Sequence, residues 1–496
     1  MNDISYDIFE RTYNQKKPQI ISKEFVGDLE TPISALLKLS IDQKYSFLLE
    51  SVEGGKQRGR FSLLGINPDI IWECKNNVTS ILNCKDGTKE KINSKINPLK
   101  SLRNLLKESL ISRDSSLPPF PVLVGYIGYP MIKHMEEINL FNKDTIGIPD
   151  SIFIRPRLVL IFDNITDKIF LMTPIYFSEN IKANAAYNLA QKTIDSGINN
   201  LNKSLKKNIP IKINNKSLNP ISNFTQSQYS KIIKKAKKYI NEGDIFQVVT
   251  SQRFEMDYDL PAISLYRSLR RLNPSPFLVN LNLNDFGLVA SSPEILVRLR
   301  NNKITIRPIA GTRPRGLNTN EDIKLAKELL SDKKELAEHL MLLDLGRNDV
   351  GRISKIGTVK VTEKMIIEYY SHVMHIVSNV EGMIDEKYDA IDALIAGFPA
   401  GTVSGAPKIR AMEIIEELEN QNRSFYGGAM GYFDSNGQMD TCISLRTALV
   451  KNNKLFVQAG GGVVFDSDPI KEYEETINKA KTIIAAAIDS YKYSNK

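Results

Sequence analysis

Carboxylates are the residues most ready for chemistry in this sequence of 496 residues. Glu335 and Glu338 stand three apart in KKELAEHLMLLDL, and Glu472 and Glu475 repeat the spacing in KEYEETINKAK. On a helix each pair projects from one face. Four converging carboxylates would form a hard, oxygen-rich site suited to Mg²⁺, which keeps several waters and takes one or two direct carboxylates. Spacing alone favours the plainer reading, a solvated face on each of two amphipathic helices. Neither helix offers the Glu-x-x-His of a di-iron site. Three glycine-rich segments could hold anions through exposed backbone N–H groups: IRPIAGTRPRG (306–316) in a loop, FPAGTVSGAPK (398–408) leading into a helix, and QAGGGVVF (458–465) between apolar strand residues. Arg313, Lys408 and Arg446 add cations to these segments. None is a phosphate-binding P-loop or a dinucleotide fingerprint, and each alone is ordinary turn chemistry. Histidine is scarce, at His134, His339, His372 and His375. The last two lie in an apolar stretch where packing is the plainer role, and no Gly-x-Ser-x-Gly elbow supports a hydrolase triad. Glu294 in SSPE reads by itself as a surface acid at a strand start.

The elements that must position these groups divide the chain unevenly. Its length suggests two or three domains. The first 175 residues mix strands and helices. FSLLGINPDIIWEC has strand-like runs broken at Gly65 and Pro68, PVLVGYIGY is apolar and aromatic, and RLVLIFDNITDKIFLMTPI reads as a hairpin turning at Asp163, Asn164 and Asp167. A helical segment follows. Asp195 to Gln228, poor in aromatics and rich in Asn, Lys and Ser, reads as a linker or long surface excursion. From Tyr229 the pattern tightens. YSKIIKKAKKYINEG is an amphipathic helix ending at Gly243, and strands follow at IFQVVTSQRFEM, FLVNLNL, FGLVAS and EILVRLR. Helices are expected over 321–330, 333–345, 407–419 and 471–491, with paired strands in YFDSNGQMDTCISLRTALV and KLFVQAGGGVVF. Groups of strands with helices between them, and no βαβ repeat, indicate an α+β architecture with antiparallel sheet.

Composition narrows the function classes. The formal net charge is +9, but the excess lysine is scattered. Lys203, Lys206, Lys207, Lys212 and Lys216 sit among Asn and Ser without aromatics, as in a solvated connector, so no nucleic-acid partner is expected. The three cysteines, Cys74, Cys84 and Cys442, are widely spaced and outside any CxxC, against a disulfide framework or zinc site. The N-terminus carries Asp3, Asp7 and Glu10 with no apolar core, unlike a signal peptide, and no apolar run approaches membrane-spanning length. The cytosol is the expected location, with no membrane partner.

Nine ordered segments carry a resemblance that single motifs do not. GDIFQVVTSQRF, VASSPEILVR, RPIAGTRPRG, KELAEHLMLLDLGRNDVGR, SHVMHIVS, GFPAGTVSGAPKIRAME, SFYGGAMGY, MDTCISLRTA and QAGGGVVFDSDP with EYEET resemble the chorismate-binding domain of the anthranilate synthase component I family, over about residues 229–487. LLESVEGG (48–55) with RGRFSLLG resembles that family's N-terminal domain. The resemblance implies large antiparallel sheets packed face to face with helices outside, and an N-terminal α/β regulatory domain interleaved with them. It implies an N-terminal domain over 1–175, helix and linker over 176–227, a catalytic domain over 228–487 and a tail over 488–496. It also reverses the reading of the four glutamates. Glu338 and Glu475 match direct Mg²⁺ ligands, with Glu335 and Glu472 closing the site directly or through water.

The implied activity is a Mg²⁺-dependent lyase that makes anthranilate and pyruvate from chorismate and ammonia through aminodeoxyisochorismate, as the first step of tryptophan biosynthesis. Relatives that hydroxylate chorismate have lysine where this chain has Gln247, and aminodeoxychorismate synthases have lysine where it has Ala310. An amide cannot serve as base for water, and alanine removes the attacking amine. By resemblance Glu294 is the general acid at the C4 hydroxyl, and His375 matches the histidine associated with pyruvate elimination. Gly311, Thr312, Tyr426, Arg446, Gly460, Gly461 and Gly462 match positions that hold substrate. Glu50 and Ser51, with Asn273, Pro276, Phe277 and Leu278, match a tryptophan feedback site between domains, although Phe277-Leu278 replaces the family's frequent Tyr-Met. No cysteine lies in a glutaminase elbow, so a separate glutamine amidotransferase subunit is expected, in a heterotetramer of two large and two small subunits. Two rival readings stay open, another chorismate-aminating enzyme and a non-catalytic tryptophan-binding regulator.

Overall fold

The computed structural model describes residues 5–40, 43–53, 57–114, 116–205, 219–370 and 373–493. Gly54, Gly55, His372 and the linker residues Lys206, Lys207, Lys212 and Lys216 lie outside the described residues.

Two long strands, Phe61–Lys75 and Ser151–Asp163, form the spine of an α+β fold. They pair antiparallel along nearly their whole length, with one register shift between Pro68 and Ile70. The sequence breaks expected at Gly65 and Pro68 therefore do not end the strand. Pro68 lacks an N–H for the ladder, and the irregularity beside it accommodates that loss while the strand continues. The sheet branches from this spine. One branch runs through Tyr45–Glu50, Phe277–Leu283, Phe286–Ser292, Thr447–Lys451 and Lys454–Val463 to Gln247–Asp257. The other runs through Pro121–Ile127, Ala429–Asp434, Met439–Ile443, Ile295–Arg300 and Lys303–Ile306 to Val373–Met383. Strands from the first 175 residues thus sit between the spine and strands of the C-terminal part in both branches, and the two parts share backbone hydrogen bonds.

One core joins residues of both branches, with Trp72, Phe120, Tyr126, Phe153 and Phe433 buried together. A second core lies under the helices Ala262–Leu272 and Pro469–Ser490, where Leu265, Leu269, Ile483 and Ala487 meet Leu48, Leu278 and Val457. No described helix is long and apolar enough to cross a membrane.

Three sequence expectations change. The excursion expected from Asp195 begins inside a helix, Ala183–Leu201, whose Ala186, Ala190, Ile194 and Leu201 are buried against Leu158 and Leu171. Small apolar side chains pack there without aromatics, so composition understated the helix. Its far end is followed by a short strand at Ile221–Ser222 and a helix Gln226–Asn241, started by a capping box at Thr225 and Gln228. The segment IRPIAGTRPRG is largely strand, because Ile309–Pro314 pairs with Val373–Val377 and bulges between Ala310 and Thr312. The last helix, expected over 471–491, spans Pro469–Ser490, so the tail that the resemblance placed from 488 begins inside it, and the buried hydroxyl of Ser490 lies 2.7 Å from that of Tyr258.

Candidate active site

Each glutamate pair begins in the first turn of a capped helix, with Glu335 and Glu472 in the first turns and Glu338 and Glu475 one turn on. Asp332 accepts from the backbone N–H of Lys334 and Glu335 to start Lys333–Gly351, and Asp468 accepts from Ile470 and Lys471 to start Pro469–Ser490. A helix N-terminus favours negative charge, so Glu335 and Glu472 sit where carboxylates are tolerated close together. Between the two helices runs the glycine strand, Lys454–Val463, with Gly460, Gly461 and Gly462 opposite Ser251, Thr250 and Val249. The missing side chains create the room. A Cβ on Gly460 would lie 2.8 Å from the Tyr426 hydroxyl, one on Gly461 3.0 Å from Glu472 Oε2, and one on Gly462 2.2 Å from Gln247 Nε2.

Gln247 donates to Glu338 Oε1 over 3.1 Å, and its own Oε1 is buried without a hydrogen-bond partner among the described residues. Burial raises the pKa of Glu338, and the charges of Glu335 and Glu475 push it the same way, which places members of both pairs in one field. Glu472 is raised by burial and by Glu475, and its Oε2 is buried without a hydrogen-bond partner among the described residues. The remaining two glutamates are held by cations. Arg313 Nη1 lies 3.2 Å from Glu335 Oε1, and Lys479 Nζ lies 2.6 Å from Glu475 Oε1. As the side chains stand, no three acidic, histidine or cysteine groups among the described residues form a metal-holding cluster. The donor set nonetheless fits a hard divalent cation. It is all carboxylate, two of its members are raised by burial and mutual repulsion, and one buried oxygen has nothing to bind.

Glu294 has a different environment. It is 6% exposed and lies between the strands Phe286–Ser292 and Ile295–Arg300, beside a narrow crevice also lined by Leu296, Pro308, Leu342 and Thr402. Burial pushes its carboxyl up to about 8, against the opposing pull of hydrogen bonds from the Thr402 hydroxyl and the Ile309 backbone. Thr402 Oγ1 donates to Glu294 Oε1 over 3.0 Å. At neutral pH the group carries its proton.

His375 faces the bulge of Ile309–Pro314. Its Nδ1 lies 3.1 Å from the Gly311 carbonyl and 3.0 Å from Thr312 Oγ1. A carbonyl can only accept, so Nδ1 bears the hydrogen and Nε2 keeps a lone pair. Burial lowers the pKa of this ring, and the charges of Arg446 and Lys479 lower it further, so it is neutral at pH 7. The ring of Tyr370 meets it edge-on at 5.4 Å. Arg446 itself adopts φ +50, a left-handed conformation that costs a non-glycine residue on the order of 1 kcal/mol and clusters at functional sites. It is half-buried, and Nη1 donates to the Lys479 carbonyl over 2.8 Å. Burial raises Tyr426 to about 12, so it keeps its phenolic proton.

The structure thus gathers Gln247, Gly311, Thr312, His375, Tyr426, Arg446, the three glycines and the four glutamates around two strands and two helix starts. Sequence reading missed Thr402, Lys479 and Arg423. Of these only Lys479 left a visible signal, four residues after Glu475 on one helical face.

The residues marked for tryptophan meet elsewhere, where Tyr45–Glu50 pairs with Phe277–Leu283 in the register Glu50 to Leu278. Glu50 is engaged already, accepting from the Tyr266 hydroxyl over 2.6 Å and from Arg270 over 2.8 Å. Leu278 is buried in the core under the helices. Asn273 Nδ2 donates to Ser291 Oγ, and the Ser51 carbonyl accepts from Gly59 N–H over 2.7 Å. Ser51, Pro276 and Phe277 are half-buried at the rim of this junction.

A family model described as chorismate binding enzyme matches residues 47–485. Anthranilate synthase component 1 of Cereibacter sphaeroides is 49% identical over 98% of both chains, and that of Aquifex aeolicus is 44% identical over 93% of both. Among solved structures, anthranilate synthase component I of Streptococcus pneumoniae superposes with a TM-score of 0.74 at 38% identity, covering 92% of this chain and 98% of that one. The menaquinone-specific isochorismate synthase of Escherichia coli shares the fold at a TM-score of 0.71 and 19% identity, over 97% of this chain and 99% of that one.

Proposed function

The chain belongs to the chorismate-binding enzymes, in the branch whose members are named anthranilate synthase component 1, and on that premise we propose that it converts chorismate and ammonia to anthranilate, pyruvate and water. The observation that carries this reading is Gln247. Its amide nitrogen is held by Glu338, and its carbonyl oxygen is buried without a hydrogen-bond partner among the described residues. Such a group cannot deprotonate water, but it can accept a hydrogen bond from ammonia, which is already a nucleophile. Ala310 offers no competing amine.

The residues then divide the work. Glu294, protonated up to about 8, gives its proton to the C4 hydroxyl, which leaves as water while ammonia adds at C2 and the ring double bonds shift. Arg446, Tyr426 and the backbone of Gly460–Gly462 hold the substrate carboxylates and exclude water. Neutral His375, oriented by Gly311 and Thr312, is placed to move a proton as the enolpyruvyl group departs and the ring becomes aromatic. Glu338 and Glu475, with Glu335 and Glu472 around them, are the residues that would hold Mg²⁺. When bound it supplies charge compensation for a substrate carboxylate. Ammonia for this chain would come from glutamine through a separate glutaminase component, and tryptophan would inhibit from the junction at Ser51.

The test is to incubate the chain with chorismate, Mg²⁺ and ammonium salts and read anthranilate fluorescence. Turnover is expected with ammonium, none with glutamine alone, and glutamine-dependent turnover only after a glutaminase component is added. Accumulation of a non-aromatic amino product would assign the chain to a different amination of chorismate. Tryptophan binding with no turnover from any ammonia source would make it a regulator.

A further inference from the structure

Arg423 is 2% exposed in its side chain, and its partner Glu419 is 3% exposed. A guanidinium this deep is costly unless its donors are used. Nε and Nη2 both bond Glu419, over 3.0 and 2.6 Å. Two more donors go to backbone carbonyls, Val403 at 2.6 Å from Nη1 and Val249 at 2.6 Å from Nη2, so that four of the five N–H groups are engaged. The guanidinium also lies over the rings of Tyr129 and Tyr426, 5.0 and 5.5 Å from their centroids. Glu419 in turn accepts from the backbone and hydroxyl of Ser251, both over 2.8 Å.

Each of these segments carries a group of the site. Val403 follows Thr402, whose hydroxyl bonds Glu294. Val249 is two residues after Gln247 on one strand, and it stands opposite Gly462, as Ser251 stands opposite Gly460. Tyr426 reaches the glycine strand. A single carboxylate would have neutralised a merely structural arginine. This one, besides the fork it gives to Glu419, bonds the Val403 and Val249 carbonyls and so ties the Thr402 turn and the Gln247 strand to each other. We infer that Arg423 is a positioning residue for the amination of chorismate: its guanidinium sets where the Thr402 hydroxyl stands against Glu294 and, with Glu419, where the Gln247 strand lies against the glycine strand. The inference rests on the function proposed above. Lysine can keep the charge but not the planar fork.

The experiment compares wild type with Arg423→Lys, and with the paired Glu419→Gln/Arg423→Gln, which removes both buried charges together so that neither is stranded. All are assayed as full chains with chorismate, Mg²⁺ and ammonium. The charged or titratable groups around Glu294 are Tyr370, which feels its charge, and across the crevice Asp349, paired with Lys408. Loss of the Thr402 donor removes a bond that favours the ionised carboxyl, so the alkaline limb of kcat moves upward. In both variants kcat should fall about tenfold from misplacement, with a smaller change in KM for chorismate. The alkaline limb should rise by about half a pH unit. Thr402→Val should give the same limb shift, and adding it to Arg423→Lys should shift the limb no further. A lowered melting temperature with kcat and the pH profile unchanged in both variants would make the pair purely structural and overturn the inference. A wild-type chain without turnover would remove the proposed function, and this inference with it.

Discussion

Glu294 and the glutamate quartet are the same side chain under opposite conditions. Glu294 lies among Leu296, Pro308 and Leu342, with no cation paired to it among the described residues, so burial decides its state and holds the proton on up to about 8. The quartet sits at two helix starts with Arg313 and Lys479 against two of its members, while burial and mutual repulsion raise Glu338 and Glu472. The carboxyl proposed to give a proton is held among apolar side chains. Carboxylates that would share a cation are crowded, with only partial compensation. The difference shows that the role of an acidic residue is set by what else is buried with it.

Removing the proposed acid should have the largest effect. Glu294→Gln keeps shape and hydrogen-bonding capacity but cannot donate a carboxylic proton, and kcat with ammonium should fall roughly 10²–10⁴-fold. Retention of near-normal turnover would break the contrast at once. Next, Glu338→Gln or Glu475→Gln should lower turnover on the order of a hundredfold, through loss of one charge from the quartet. Here the deficit should shrink as Mg²⁺ is raised, whereas that of Glu294→Gln should not. If Mg²⁺ titration treats both regions alike, the quartet is not the metal site.

The pH dependence sharpens the same contrast. If Glu294 is the proposed acid, kcat should be full below about 8 and fall above it, while free ammonia rises over the same range. A bell-shaped profile at fixed total ammonium is the expected result. Stability follows the same sign. The folded-state pKa is raised above the ordinary carboxyl range, so the contribution is full below the unfolded value and lost as pH rises through about 8. Glu294→Gln should therefore lose less melting temperature than wild type between about pH 6 and pH 9, a difference of a few degrees. Equal losses would show that Glu294 ionises without cost.

The smallest catalytic effect is expected at the Ser51 junction, remote from both carboxylate regions. Ser51→Phe should put a ring where a hydroxymethyl group already packs against Gly59, abolish inhibition by tryptophan and leave kcat within about twofold. In wild type, chorismate should weaken tryptophan binding by the factor by which tryptophan weakens chorismate binding. Joint loss of turnover and inhibition would place Ser51 in the fold instead.

Much of this molecule could be read from local sequence. The helix starts at Lys333 and Pro469, the strand alternation and the ExxE spacing are local patterns, and local patterns fix which face a residue joins. The order of nine motifs carried the family, because it samples the whole chain. Local pattern failed where long-range contact overrode it. Pro68 looks like a break until its long partner strand carries the bulge, and the alanine-rich helix over 183–201 looks like a connector until Leu158 and Leu171 cover it. The state of Glu294 is a property of burial, and burial needs Ile295–Arg300, Lys333–Gly351 and the Thr402 turn assembled around it. Arg423 is one more scattered arginine in sequence. Only the tertiary structure decided that its donors would close on Glu419, Val403 and Val249, because a buried charge takes its meaning from partners that the chain brings in from far away.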